Sequence, residues 1–435
     1  MQRNTRSTDG PGGERAPETR GEQGGDGVNI PEENRSPAKL QRPLEGVTVI
    51  DLGQIYNGPY ATFLMAMAGA RVIKIEPPGG EKMRRRGAVG GAMLPFAMLN
   101  SNKEFVTLNL KSAEGIDLFK QMAAKADIVL ENFAPGTMDR LGIGYDVLSQ
   151  INPGLIYAAG TGYGSFGPNR DMLAMDLTIQ AMSGVMASTG FQDRPPVKAG
   201  PALCDFFGGI HLYGAVMTAL VRRVRTGQGG LVEVSMLESV YPSLSSTLGL
   251  YYGTGGENPP RTGNRHGGMA EAPYNVYPCK DGWVALLCVS EKHWEALLEA
   301  MGRRDLLTAE RFIDLEARVN HIDELDALIE GWTEGFTKDD LVAELLRRRI
   351  PHAPVREIDE VVNDVHMHAR GTLQRIEHPE LGSVVLPTGP MMFADTDRTE
   401  LQPSKAVGAD NSHVFGDWLG LSPDEVAALA QRKAI

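Results

Sequence analysis

Residues 47–78 read VTVIDLGQIYNGPYATFLMAMAGARVIKIEPP and contain the pattern that decides the fold. The β-branched and aliphatic residues at 47–52 predict a strand, the stretch 53–59 a turn, and the apolar run 61–67 a helix. A second strand is predicted over 70–75, ending before two prolines. A strand, a helix and a second strand in this order are typical of parallel sheets. The stretch therefore predicts an α/β protein with a Rossmann-like, doubly wound parallel sheet.

The alternation of strands and helices continues to about residue 235. Further strands are predicted at 105–110, 127–131, 155–159 and 231–234, with helices at 113–124 and from Thr137 onward. Ligands of such sheets bind beyond the carboxyl ends of the strands. Five polar residues follow predicted strand ends or loop–helix junctions, and we expect them to converge: Asn57, Glu76, Asn132, Tyr163 and Asp205.

The second half of the chain predicts a smaller α/β domain. A loop is predicted over 253–275, then a strand at 282–289 and helices at 291–302, 322–334 and 338–349. Residues 1–41 contain almost no large apolar residue and predict a disordered tail. The predicted organisation is a tail (1–41), the first part of a large CoA-binding Rossmann-like domain (42–240), a linker with the small domain (241–355), and a return linker with the C-terminal part of the large domain (356–435).

Residues 195–235, PPVKAGPALCDFFGGIHLYGAVMTALVRRVRTGQGGLVEVS, place an acidic residue at the start of an apolar helix. Apolar residues recur at three- and four-residue steps from Ile210 to Val221, and arginines followed by Gly227 suit a helix C-terminus. Asp205 then stands where this helix begins. Such a carboxylate can cap the helix, or it can be an ionised nucleophile that the helix N-terminus stabilises. The two roles are compatible, and the position alone favours the cap.

The composition is that of a globular protein large enough for two or three domains, with 435 residues of which 42% are hydrophobic and 23% charged. A formal net charge of −12 argues against general nucleic-acid binding. The sequence has no run of about 18 apolar residues and no apolar signal region, so we expect no membrane association. Cys204, Cys279 and Cys288 have no paired spacing, which favours a reducing, cytoplasmic location.

Motifs for metals and common cofactors do not stand out. The sequence has no GxSxG, P-loop or HExxH motif, and we expect neither a metal site nor a permanently bound cofactor. His366 and His368 form an HxH pair, but their charged neighbours favour a solvated helix end. Asp176 and Asp205 are more informative, because both open predicted apolar helices near glycine-rich loops. Either can be a helix cap, yet the pair suggests a catalytic site.

Eight stretches in chain order make the sequence resemble the class III CoA-transferase family, which includes formyl-CoA and carnitine CoA-transferases and 2-methylacyl-CoA racemases. They are PLEGVTVIDL, GPYATFLMAMAGARVIKIEPPGG, NSNKEFVTLNLKSAEG, ADIVLENFAPGTMDRLGIGYDVL, NPGLIYAAGTGYGSFGP, DLTIQAMSG, GPALCDFFGGIHLYGAVMTAL and TGQGGLVEVSMLES. Each is weak alone, but the ordered set is specific and covers about residues 43–430. The resemblance implies the fold of the family, an interlocked homodimer whose chains thread each other like linked rings.

The resemblance also implies the site residues. The catalytic aspartate of the family falls on Asp205, and the acid that supports catalysis falls on Asp176, where formyl-CoA transferases have Glu. The CoA contacts of the family fall on Tyr56, Asn57, the strand end with Leu108, Asn109 and Lys111, and on Asn132, Phe133, Ala134 and Arg140. The glycine-rich loop over the active site loosely resembles GNRHGG, with Gly263, Gly267 and Gly268.

The implied chemistry fits these residue types. CoA carries several phosphate charges, so Arg140 and Lys111 are candidate anion partners, and Lys74 lies on the same side unless it is only a solvated strand-end lysine. The expected substrates are an acyl-CoA thioester and small carboxylic acids. Asp205 would attack the thioester, giving a mixed anhydride and then an aspartyl-CoA thioester. Backbone N–H groups of the glycine loop can stabilise the oxyanion, by about 3 kcal/mol per donor.

Two other functions stay open from the sequence. Racemases of this family have a histidine directly before their first acid, and here that position is Met175, whose thioether cannot exchange a proton. The other is a CoA-binding relative without activity, against which the retained Asp205 argues. The substrate pair is also open. Tyr56 and Met175 depart from the formyl-CoA transferase pattern, which leaves small dicarboxylates such as succinate, malate or mesaconate, or a carnitine-like acid.

Overall fold

The computed structural model describes residues 40–85, 93–257 and 261–435. The predicted tail over 1–41 lies outside these ranges except for its last two residues. Leu40 is already attached to the fold, because its backbone N–H donates to the carbonyl of Asp395 at 3.0 Å. The attached part of the chain therefore includes Leu40, just before the predicted end of the tail at residue 41.

Strands and helices alternate along the first half of the described chain, as predicted. The strands are β1 Thr48–Asp51, β2 Arg71–Glu76, β3 Glu104–Thr107, β4 Ile128–Glu131, β5 Ile156–Thr161, β6 Gly230–Ser235, β7 Tyr274–Cys279, β8 Gly282–Leu287, β9 His352–Pro354, β10 Leu373–His378 and β11 Gly382–Pro387. The helices are α1 Asn57–Met67, α2 Leu94–Leu99, α3 Ala113–Lys125, α4 Thr137–Arg140, α5 Tyr145–Ile151, α6 Asp176–Met182, α7 Val185–Ser188, α8 Leu203–Thr226, α9 Met236–Val240, α10 Ser245–Gly253, α11 Glu291–Ala300, α12 Leu315–Asn320, α13 Ile322–Thr333, α14 Lys338–Arg347, α15 Ile358–Val362, α16 Val365–Ala369 and α17 Pro423–Gln431.

The main sheet is parallel and has the strand order β3-β2-β1-β4-β5-β6 within the described residues. Val49 of β1 pairs with Val72 on one side and with Ile128 of β4 on the other. This order is typical of doubly wound Rossmann-like sheets. Strands β2 and β3 are added on one side of β1 and strands β4 to β6 on the other, which leaves a crevice between the loops that follow β1 and β4. The predicted parallel α/β sheet is confirmed.

Two hydrophobic cores cover the faces of this sheet. On one face, side chains of α3, α5 and α17 pack on alternate strand residues such as Ile50 and Val129. On the other face, α1 and α8 pack on the intervening residues, such as Val49 and Ile128. Strands that are buried on both faces carry nearly continuous apolar runs, which is why the sequence predicts them well.

A third core lies in the second half of the chain. Strands β7, β8 and β9 form a three-stranded antiparallel sheet on which α11, α13 and α14 pack. Part of the predicted loop over 253–275 is wrong, because β7 begins at Tyr274. Strands β10 and β11 form a hairpin of their own. The predicted domain boundaries stay a prediction.

Helix α8 has the length and apolar composition of a membrane-spanning helix, although the sequence analysis found no apolar run of that length. Among the described residues, it is the one helix long and apolar enough to cross a membrane by length and composition. Its residues Leu212, Val216 and Ala219 are buried in the core on the β1–β4–β5 sheet face. A core helix of this kind meets the same length and composition criteria.

Candidate active site

The loops that follow β1 and β4 meet at the crevice of the sheet. The backbone N–H of Gln54 donates to Oδ1 of Asn132 at 2.7 Å, and Nδ2 of Asn132 donates to the Gln54 carbonyl at 2.9 Å. The Asn132 amide therefore bridges the two loops at the place where ligands of doubly wound sheets bind.

A cavity of about 590 Å³ opens beside this bridge. Its lining comes from the loops after β1, β4 and β5 and from the starts of α8 and α9, and includes Gln54, Asn57, Asn132, Phe133, Ala134, Arg140, Gly160, Tyr163, Arg170, Met175, Asp205 and Met236. Four of the five residues expected to converge line this cavity. The exception is Glu76, whose buried carboxylate binds Arg84 at 2.7 Å instead.

Asp205 lies in the first turn of α8 and is 7% exposed. It is not the helix cap that its position suggested, because Ala202 is the N-cap residue. The capping acceptor comes from another helix: Oδ1 of Asp176 accepts the backbone N–H of Cys204 at 2.9 Å and that of Asp205 at 3.4 Å. Asp176 thus satisfies N–H groups that a helix start leaves unpaired, and holds the segment that carries Asp205.

The electrostatics of this helix start favour carboxylates over a thiolate. The positive end of the helix dipole stabilises negative side chains in the first turn of α8. Burial, together with the charges of Asp176 and Asp205, raises the pKa of the neighbouring Cys204 thiol to about 12. Cys204 is therefore protonated at neutral pH and does not compete with Asp205 as a nucleophile.

A buried ionic cluster holds the loop that leads from β1 into the cavity. Lys74 is 1% exposed, donates to the Gly53 carbonyl and pairs with Glu81 at 2.8 Å. Glu81 also accepts the backbone N–H of Ile55 at 2.9 Å. The expectation that Lys74 meets a CoA phosphate is corrected, because its charge is neutralised inside the chain. Ile55 has a φ of 64°, an unfavourable conformation for a β-branched residue, which these bonds hold in place.

The second lysine of this cluster was missed by the sequence analysis. Nζ of Lys103 donates to Asp51 at 2.9 Å, and Asp51 in turn accepts the backbone N–H of Gly53 at 2.7 Å. Burial lowers the pKa of Lys103 to about 8. The loop is therefore attached to the end of β1 through Asp51 and to the end of β2 through Lys74.

The loop after β4 depends on a buried acid. Glu131 accepts the backbone N–H of Phe133 at 2.7 Å and the hydroxyl of Tyr157 at 3.3 Å. Burial raises the pKa of Glu131 to about 7. Its ionisation near neutral pH therefore takes place at the carboxylate that holds the backbone N–H of Phe133, one of the predicted CoA contacts.

Two arginines lie at the mouth of the cavity. A side chain at Gly136, which has a φ of 75°, would meet Nη1 of Arg140 at 3.2 Å and Nη2 of Arg170 at 3.5 Å. Both guanidinium groups therefore lie close to the same backbone segment and are exposed. Arg140 was predicted and Arg170 was missed, although it lies two residues after the glycine-rich stretch 160–168. The pair is suited to phosphate groups.

Other predicted CoA contacts lie away from the cavity lining. Tyr56 stacks on Phe206 with ring centroids 6.0 Å apart. The Leu108 side chain is buried in the core, so it is corrected to a packing residue. The side chain of Asn109 is committed to the Lys433 carbonyl and to the backbone N–H of Lys111. Of this strand end, only Lys111 extends an exposed charge.

The predicted glycine loop borders a different cavity within one chain. Gly263 donates its backbone N–H to the Gly190 carbonyl at 3.0 Å, and a side chain there would collide with the Phe191 ring. Gly268 packs beside His266, and Gly267 lies near Thr247. None of the three glycines lines the cavity of Asp205. Their role above the active site stays a prediction.

Comparisons with known proteins identify the family of the chain. A sequence profile described as CoA-transferase family III matches residues 44–411. The chain belongs to CoA-transferase family III. A succinyl-CoA–D-citramalate CoA-transferase of Chloroflexus aurantiacus is 35% identical over 404 residues, which is 92% of this chain and 100% of the relative. An acetyl-CoA:oxalate CoA-transferase of Acetobacter aceti is 36% identical over 371 residues, 85% of this chain and 93% of the relative.

Solved structures of the family have the same fold. A CaiB/BaiF family protein from Brucella suis superposes with a TM-score of 0.76 at 32% identity, over 87% of this chain and 100% of that one. The protein is thus an enzyme of the class III CoA-transferases, and the mixed α/β fold with its parallel sheet is that of the family. Among the described residues of this transferase, no group of His, Cys, Asp and Glu could hold a metal ion.

Proposed function

We propose that this transferase moves CoA from an acyl-CoA donor to a small carboxylic acid through covalent intermediates on Asp205. The observation that carries the proposal is the position of Asp205. Its carboxylate lies in the first turn of α8 on the wall of the cavity, at the carboxyl end of the sheet. Ionised carboxylates attack acyl groups, and the helix start stabilises the ionised form between turnovers.

The proposed reaction has four steps and needs no net proton transfer. An Asp205 oxygen bonds to the thioester carbonyl carbon, the carbon–sulfur bond breaks, and CoA leaves as a thiolate, so that a mixed anhydride of Asp205 and the donor acid remains. The thiolate attacks the Asp205 carbonyl, giving an aspartyl-CoA thioester and releasing the donor acid. The acceptor carboxylate attacks this thioester and forms a second anhydride with release of thiolate. The thiolate then attacks the acceptor carbonyl, which yields the new acyl-CoA and restores the Asp205 carboxylate.

The surroundings of Asp205 support CoA as the shared part of both substrates. Arg140 and Arg170 at the cavity mouth are placed to bind phosphate groups, while Phe133 and Ala134 offer apolar surface on the way to Asp205. The relatives are named for succinyl-CoA with D-citramalate and for acetyl-CoA with oxalate. We therefore propose a small dicarboxylate or related acid as the acceptor.

A family racemase is the second candidate, and Met175 argues against it. Met175 lines the cavity next to the start of α6. It occupies the position at which the racemases place a histidine, and a thioether has no proton to transfer. A racemase would exchange the α-hydrogen of a 2-methylacyl-CoA with deuterated water without labelling Asp205.

Substitution of Asp205 tests the proposal. Asp205→Asn keeps the size of the side chain and removes the anionic nucleophile, so transfer should fall by at least about 10³-fold while the fold survives. Incubation of the native enzyme with acyl-CoA alone should leave an adduct on Asp205 that hydroxylamine cleaves and borohydride reduces to an alcohol, detected by peptide mass spectrometry. The matched control is Asp146→Asn, an exposed acid in the first turn of α5, which should keep full activity. Full activity of Asp205→Asn would refute the proposal.

A further inference from the structure

Asn57 is a buried amide without a partner. It is the first residue of α1, is 3% exposed, and lies where the β1 loop enters the cavity. In the part of the chain that the structure describes, neither its Oδ1 nor its Nδ2 has a hydrogen-bond partner. An unpaired buried amide opposes folding, so such a group in a native protein calls for an explanation.

The surrounding backbone is built to accept this amide. A Cβ at Gly160, at the end of β5, would lie 2.6 Å from Oδ1 of Asn57. A Cβ at Gly208, in the second turn of α8, would lie 2.1 Å from Nδ2. Any larger residue at these two positions would displace the amide. Three elements therefore leave room for a side chain that gains no hydrogen bond from them.

The donor end of the amide faces the helix that carries Asp205. Gly208 follows Asp205 by three residues, so the two lie on the same face of α8, one turn apart. Asn57, Gly160 and Asp205 line one cavity, and Nδ2 is on the α8 side of the amide. Two other polar side chains of the lining are engaged within the chain, Asn132 with Gln54 and Arg140 with Thr137, whereas the buried hydroxyl of Tyr163 has no partner among the described residues.

We propose that Nδ2 of Asn57 donates a hydrogen bond to the carbonyl oxygen of the reacting acyl group. This inference rests on the proposed function, in which Asp205 is the nucleophile. When an Asp205 oxygen bonds to the thioester carbon, the carbonyl electron pair moves onto oxygen, and Asn57 stabilises this oxyanion. The pair returns as the carbon–sulfur bond breaks and CoA leaves as a thiolate. The sequence resemblance had placed Asn57 among the CoA contacts, whereas the geometry places its amide at the acyl end.

The physical advantage comes from burial. A donor that borders the cavity, is nearly screened from water and has no protein acceptor can interact strongly with negative charge that develops beside it. Removing one such donor typically lowers kcat by about 10²–10³-fold, with much less effect on substrate binding. A residue that only contacted CoA would instead change KM.

The test compares native enzyme with Asn57→Ala. We expect kcat to fall about 10²–10³-fold, KM for the acyl-CoA to change less than about threefold, and the adduct on Asp205 to form more slowly by the same factor as kcat. The melting temperature should not fall, because the variant loses no hydrogen bond within the chain. Asn57→Asp keeps the shape but replaces the donor with an oxygen, so it should lose at least as much activity and serves if the alanine variant does not fold.

The outcomes separate this inference from the proposed function. Equal rates of adduct formation in native enzyme and Asn57→Ala would overturn the role of Asn57 and leave Asp205 as the nucleophile. If Asn57→Ala raises KM for the acyl-CoA and leaves kcat unchanged, Asn57 binds CoA and does not stabilise the oxyanion, which would also overturn the inference. No adduct in the native enzyme would overturn both. Tyr163 has an unpartnered buried hydroxyl in the same cavity, and loss of kcat in Tyr163→Phe but not in Asn57→Ala would assign the donor role to Tyr163.

Discussion

Asp176 and Asp205 are both acidic, yet the structure gives them different tasks. Asp205 lines the cavity. Both oxygens of Asp176 hold parts of the fold: Oδ1 accepts the N–H groups at the start of α8, and Oδ2 accepts from Nε2 of Gln180 at 2.6 Å. Asp176 does not line the cavity. We infer that it is a positioning residue, which fixes the first turn of α8 and thereby the Asp205 carboxylate.

Two substitutions of Asp176 distinguish positioning from direct chemistry. Asp176→Ala removes the capping acceptor, so we expect about 1 kcal/mol less stability and a kcat reduced about tenfold, with the adduct still forming on Asp205. Asp176→Asn keeps an oxygen that can accept from Cys204, so it should recover most of both losses. Urea unfolding and kinetics measure the two effects. If the asparagine variant were as inactive as the alanine variant, the charge of Asp176 would act on the substrate itself.

At the scale of elements, the loop after β4 should respond to pH. The pKa of Glu131 is raised by burial from 4.5 to about 7. Between pH 4.5 and about pH 7, the folded protein therefore keeps a proton on Glu131 that the unfolded chain has already released. The free energy of unfolding that this proton contributes is fully present below pH 4.5 and is lost as the pH rises through 7. The ionised carboxylate beneath Phe133 disfavours the folded loop.

Glu131→Gln should remove this part of the pH dependence. Between pH 5 and pH 8, the native protein should lose on the order of 2–3 kcal/mol more unfolding free energy than the variant. The glutamine oxygen can still accept from Phe133, so the loop keeps its backbone bond. Urea unfolding of both proteins at the two pH values gives the comparison. Parallel pH profiles would show that Glu131 does not carry the raised pKa.

The strands of the main sheet could be predicted because they are buried on both faces and therefore have nearly continuous apolar sequences. The sequence does not predict strands β7, β9 and β10, since strands in small antiparallel sheets bury one face and contain polar and proline residues. Their partners are also distant in sequence, as Val284 and Pro354 are in the β8–β9 pair. Pattern alone does not reveal such pairings.

Part of the candidate site could be predicted from the sequence. Asp205 was found because it opens an apolar helix in a stretch that resembles the family. Asn132 was found because it follows a strand end, and the topology places strand ends together. Lys74 was misjudged for the same reason: a lysine at a strand end looks solvated, and its partner Glu81 becomes visible only in three dimensions. The Asp51–Lys103 pair spans 52 residues, which no local pattern encodes.

On the scale of the whole molecule, the single chain leaves many apolar side chains exposed. One group lies between residues 166 and 197 and includes Leu173, whose side chain is 86% exposed. Others lie on α8 and α10, where Val224 is 84% exposed and Tyr252 is 76% exposed. Single exposed apolar residues are ordinary, but groups of them mark interaction surfaces. The homodimer that the family resemblance implies would cover such surfaces.

An interlocked dimer is expected to differ from an ordinary dimer in subunit exchange rather than in mass. The chain mass is 47.1 kDa, so light scattering should report about twice this value at all dilutions. Linked rings separate only when a chain unfolds, so two preparations with different affinity tags, mixed under native conditions, should not exchange subunits over days. Co-refolding from urea is the positive control and should give mixed dimers. Rapid exchange without denaturant would mean that the chains associate side by side, and a monomer mass would mean that the exposed apolar surfaces meet another partner.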